Sequence, residues 1–205
     1  MCRVDPSGRP VNHLAHALLA GDEPERMLGS LLGDFVRGAI DPALPALRRE
    51  GIAQHRAIDR YTDAHPQVVA ARGLFAPPFR RYAGIVLDVW FDHLLARDFA
   101  QWSDEPLSDF SGRVQGLLHA REAILPDGLR RFSRYLHAHD LPLRYRERAM
   151  IGQVLAGVGS RLSRANPLAA GLEAIAPIEP QLDAAFAAFF PDLVEFARRP
   201  ERWRA

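Results

Sequence analysis

Residues 80–102 constrain the fold more tightly than any other part of this sequence. They carry Ile85, Val86, Leu87, Val89, Trp90, Phe91, Leu94 and Leu95, which fall nearly all round a helical projection. A helix without a polar face has to run through the middle of the molecule. The same stretch nevertheless holds Asp88, Asp92 and His93. Asp88 and Asp92 are four apart and so share one helix face. Two carboxylates placed together inside a core repel each other and lose hydration, and each buried ion costs several kcal/mol even after relaxation. An arginine, a proton or a metal has to neutralise them. The neighbouring Asp92-His93 pair points to a divalent metal. The competing reading is a buried ion pair with Arg56 or Arg37.

The rest of the chain also follows helical spacing, with no apolar/polar alternation of the kind a strand requires. Helices are expected over 13–20, from Pro24 to about 36, over 44–63 and 67–75, and then over 80–102, 106–125, 129–139, 142–162 and 180–197. Pro24 suits a first helical turn, Gly38 is a plausible stop, and Pro77-Pro78 breaks the chain. The sequence shows no internal repeat and no linker. The fold class is therefore all-α: a single-domain helical bundle over 11–205, with residues 1–10 as a flexible extension.

Composition closes off several chemistries. At 205 residues the chain can build one well-filled core. Its single cysteine, Cys2, forms no internal disulfide and is a poor candidate nucleophile. All 26 basic residues are arginine, so Schiff-base lysines and the phosphate-loop lysine are excluded. A net charge of +1 does not suit a general nucleic-acid binder. Residues 121–164 nevertheless hold nine arginines against four acids, an excess that can steer an acidic partner. No run of apolar residues is long enough to span a membrane, and MCRVDPSGRP lacks the apolar segment of an export signal. The expected location is cytoplasmic.

Three further clusters can join the acids of 80–102. His55 and Asp59 in HRAIDRYTD are four apart on one helix face; they can share a metal, or the carboxylate can orient the imidazole, and the plain alternative is a surface pair. Asp34, flanked by glycine in GDFVRG, is either a solvated helix-end carboxylate or another ligand. His16 in NHLAH is either a core histidine or part of the same site. Imidazole and oxygen donors without sulfur suit manganese, magnesium or iron better than structural zinc. Such an ion activates water and shields phosphate charge, and Arg37, Arg56 or Arg60 could hold phosphate oxygens.

NHLAHALLA, SLLGDFVRG, QHRAIDRYTDAHP and IVLDVWFDHLLARDF, in this order and spacing, resemble the acyl carrier protein phosphodiesterase family, and the likeness extends over roughly 11–197. The resemblance implies an all-α fold related to the HD phosphohydrolases and a manganese-preferring enzyme. The expected reaction is hydrolysis of the phosphodiester joining phosphopantetheine to the serine of holo-acyl carrier protein, an acidic protein substrate. The family's shared positions fall on His16, Asp34, His55, Arg56, Asp59, Asp88, Asp92 and His93. HD enzymes carry adjacent His-Asp, whereas this chain has Asp92-His93. The family motif also starts near an initiator methionine, whereas here Val11 follows ten other residues. The expected metal ligands are Asp34, His55, Asp88, Asp92 and His93. Asp59 braces them, Arg37 and Arg56 meet the phosphate, and His16 protonates the leaving serine. A small-nucleotide phosphohydrolase and a non-catalytic helical binding protein are the alternatives.

Overall fold

A computed structural model describes residues 12–203, so the expected extension over 1–10 lies outside the described residues. Among these the chain is all-α, with no strand. Its helices are α1 (His13–Leu19), α2 (Pro24–Leu32), α3 (Ala46–Ala64), α4 (Pro66–Gly73), α5 (Ala83–Arg97), α6 (Leu107–Ala120), α7 (Asp127–Ala138), α8 (Arg148–Gly159), α9 (Gly171–Ile175) and α10 (Glu179–Ala197). The expected helices are present, but several are shorter than periodicity suggested because their ends tighten into 3₁₀ turns. The segment from Pro24 stops at Leu32 and continues as a turn over Gly33–Phe35. The central segment begins with the turn Phe79–Tyr82 and closes with Phe99–Gln101. α9 was not foreseen, being one short turn in a segment without a usable period.

α5 is the axis of the fold. Val86, Val89, Trp90, Leu94 and Leu95 are completely enclosed, and α1, α4, α8 and α10 pack around the helix. The buried apolar side chains form one cluster from Leu14 to Ala197. α2 and α3 lie against each other at backbone contact. A Cβ on Gly29 would stand 2.1 Å from the Arg48 carbonyl oxygen, and one on Gly51 would stand 2.0 Å from that of Arg26. Only glycine permits this approach, which brings the turn after α2 directly beside the middle of α3.

Candidate metal centre

Three segments meet where α2 ends. α1 contributes His16, the Gly33–Phe35 turn contributes Asp34, and successive turns of α3 contribute His55 and Asp59. The His16 and His55 rings stack 3.8 Å apart. Asp59 bridges them, with Oδ1 3.0 Å from His16 Nε2 and Oδ2 3.3 Å from His55 Nε2. Asp34 Oδ1 approaches the same His55 nitrogen at 3.4 Å. Both imidazoles are buried, while Asp59 remains partly open to solvent.

The charges are strongly coupled. Burial opposes a charge on His55, but hydrogen bonding to Asp34 and Asp59 and their negative charge outweigh it, and its pKa rises to about 10. Asp34 and Asp59 are held below the usual carboxylate range, burial being overcome by His55 for both and by His16 for Asp59. Burial and the charge on His55 keep His16 low. A proton on His55 therefore occupies the place where a cation is wanted, and the acids are met by imidazole, not by arginine.

These residues fit a divalent ion. One donor atom each from His16, His55 and Asp59 lies within 4.8 Å of the other two, a spacing that ligands of one ion can adopt. His16 Nδ1 and His55 Nδ1 are buried without a hydrogen-bond partner, and His55 Nε2 meets only the long approaches of Asp34 and Asp59; polar atoms left so poorly satisfied call for an occupant. Asp34 stands beside this group, against the His55 nitrogen.

The surrounding structure fixes this arrangement. Ser30 Oγ donates to the His16 carbonyl (3.0 Å), tying α2 to α1. Arg56 donates to the Val36 and Gly38 carbonyls at 2.7 and 2.8 Å and straps the loop that carries Asp34 onto α3. Gly33 leaves room for the His55 ring, since a Cβ there would stand 2.2 Å from His55 Cγ. His55 is 3% exposed and has nowhere to retreat. Gly33→Ala is therefore expected to weaken divalent-metal binding at least about tenfold and to destabilise the protein by about 2 kcal/mol through overpacking. Calorimetric titration and thermal unfolding would measure both effects; unchanged metal affinity would show that the ring position does not matter.

The other expected site residues are distributed differently. Asp92 is not in the cluster. Its two oxygens accept from the Leu14 and Ala15 backbone N–H groups at 2.9 and 3.0 Å, holding the open first turn of α1. His93 points another way, its Nδ1–H donating to the Tyr145 carbonyl (2.7 Å) and its ring resting beside Trp90. Adjacent residues on a helix diverge by about 100°, so the pair cannot act on one ion as expected. Asp88 lies within electrostatic reach of Asp59, Asp63 and Asp92 and is opposed by Arg72; burial, aided by these acids, pushes it up to about 8. Arg56 donates one N–H from each terminal guanidinium nitrogen to backbone carbonyls. Arg37 is exposed just beyond the turn. One neighbour had not been singled out: His13, one turn before His16, is buried against Phe132 and lies within electrostatic reach of Asp34. Its spacing from His16 was the available signal.

Residues 11–193 match the family described as acyl carrier protein phosphodiesterase. A protein of that name from Serratia proteamaculans is 36% identical over 193 residues, which span 92% of this chain and 98% of that protein. Proteins of the same name from an Enterobacter species and from Escherichia coli are each 38% identical over 196 residues; these span 93% and 92% of this chain, and 100% and 98% of the relatives. No solved structure matches. With the match running through all four residues of the cluster and most of the helices that hold them, the chain belongs to the acyl carrier protein phosphodiesterase family.

Proposed function

We propose that this protein hydrolyses the phosphodiester between phosphopantetheine and the serine of holo-acyl carrier protein, giving apo-carrier and free phosphopantetheine, with a divalent ion, manganese, held by His16, His55, Asp59 and Asp34. The observation that carries this reading is the convergence of His16, His55 and Asp59 in a chain similar over most of its length to proteins of that name. The donor set has nitrogen and oxygen and no sulfur, which suits manganese, magnesium or iron. When bound, the ion supplies activated water and offsets phosphate charge.

The chain's own residues prepare that chemistry. Asp34 and Asp59 both approach His55 at Nε2, which favours one orientation of the ring before any ligand arrives. Asp59 likewise holds His16 by Nε2. This contact supports reading His16 as one of the holders of the ion, a different role from the proton donor expected from sequence. Arg56 acts on Asp34 through the loop it straps, and Arg37 beside that loop is assigned to the phosphate oxygens.

The test is conversion of holo- to apo-carrier followed by intact-mass spectrometry. Chelator-treated enzyme is expected to lose at least about 99% of its rate, and added manganese to restore it. Full activity after exhaustive chelation would remove the metal from the mechanism. Absence of conversion with metal present would remove the carrier as substrate.

A further inference from the structure

α7 turns two different faces to the rest of the molecule. Leu129 and Leu136 are buried in the core. Beside them, Gly128, Phe132, Tyr135 and His139 recur at helical spacing and so share one face, with no acid or arginine among them. All four are half-buried. Phe132 and Tyr135 pack against the core and leave part of each side chain open.

These rings run on from the edge of the metal centre. Gly128 abuts the Phe35 ring, next to Asp34: a Cβ on this glycine would stand 2.7 Å from Phe35 Cδ1. The Phe132 ring lies 3.9 Å from that of His13, which sits one turn before His16 and within electrostatic reach of Asp34. Tyr135 follows, its ring 6.4 Å from Phe132 and within 28° of parallel, and the His139 ring stands 4.4 Å from that of Tyr135. The Tyr135 hydroxyl reaches α8 at Gly157, where a Cβ would stand 3.8 Å from it. The row of rings is therefore continuous from the metal centre to the end of α7.

We propose that the row His13–Phe132–Tyr135–His139 cradles the pantetheine arm of the substrate, with its phosphate end at Phe35 and His13 and its thiol end toward His139. This rests on holo-carrier as substrate. A phosphodiester at the metal centre has two substituents. The serine belongs to a folded protein and stays outside. The arm is slender and uncharged, built from a dimethyl-bearing carbon and flat amides, and such groups pack on aromatic faces. The Tyr135 hydroxyl and the His139 imidazole supply hydrogen-bonding partners for the amides. The arm would cover apolar surface that the row leaves open to water. A lone phosphate would need none of the rings beyond His13.

Free phosphopantetheine and inorganic phosphate, used as competitive inhibitors of holo-carrier cleavage by the manganese-loaded enzyme, separate recognition of the arm from recognition of phosphate. The double variant Phe132→Ala/Tyr135→Ala is expected to raise the inhibition constant of phosphopantetheine at least about tenfold and that of inorganic phosphate less than about twofold. Its KM for holo-carrier should rise with the former, while manganese affinity stays within about twofold of wild type. Ile124→Ala removes an exposed apolar side chain outside the row and should change neither constant by more than about twofold. Phe132→Leu keeps an apolar side chain against the core but loses the ring; it should still weaken phosphopantetheine at least about threefold, and it carries the test if the double variant does not fold. An unchanged phosphopantetheine constant would overturn the cradle, and so would equal weakening of phosphate and phosphopantetheine, which would trace the effect to the metal centre. If wild-type enzyme converts no holo-carrier, the substrate reading fails and the cradle fails with it; conversion by wild type, with the two inhibitors affected alike in the variants, rejects the cradle alone.

Discussion

Asp59→Ala is expected to lower kcat/KM on holo-carrier by about 10³-fold, or ~4 kcal/mol of transition-state stabilisation, while leaving the protein folded. Asp59 meets both imidazoles, and removing it takes one donor from the ion and the brace from His16 and His55 together. Its side chain is partly open to solvent, so the stability cost stays near that of an exposed ion pair, under about 1 kcal/mol. Circular dichroism should show an intact helical spectrum, and manganese titration should show binding lost or weakened at least about a hundredfold. A variant that keeps both metal and turnover would dissolve the proposed centre. The same site predicts a pH dependence of fixed sign. Without metal, His55 keeps its proton up to about 10, and an ion has to displace that proton. Manganese affinity should therefore rise from pH 6 to 9, with proton release detectable by comparing calorimetric heats in buffers of different ionisation enthalpy. Affinity that falls over this range would contradict the exchange.

What could be read from the sequence, and what could not, follows from locality. The His55–Asp59 pair was legible because i and i+4 face the same way on any α-helix. The central position of α5 was legible because no arrangement with solvent could satisfy its apolar surface. The partition of Asp92 and His93 was not, because their partners, the first turn of α1 and the Tyr145 carbonyl, are 78 and 52 residues away. The strapping role of Arg56 was not legible for the same reason: its partners are backbone carbonyls brought alongside by a loop, and no residue type marks a carbonyl. The 3₁₀ endings of α2 and α5 escaped because apolar residues continue through them and periodicity does not register a change of pitch.

Asp92→Ala is expected to destabilise the protein by about 3 kcal/mol near pH 5, lowering the melting temperature by about 6–12 °C. The substitution leaves the Leu14 N–H buried and the Ala15 N–H half-buried without an acceptor at the start of α1. The loss of turnover should be secondary: where enough protein remains folded, manganese stoichiometry should stay near wild type, because His16, His55 and Asp59 are intact. A metal ligand would behave in the opposite way, keeping stability and losing the ion. Proton linkage gives an independent check. Burial, opposed by the two backbone bonds, raises Asp92 to about 7, above its unfolded value near 3.9. A group raised in this way contributes most below the unfolded value, and that contribution is lost as pH climbs through 7. The gap in stability between wild type and Asp92→Ala should thus be widest near pH 4–5 and narrow by pH 8, as measured by urea unfolding at each pH. A gap that widened with pH would mean that the charged carboxylate is the favoured form, and would return Asp92 to the company of a cation.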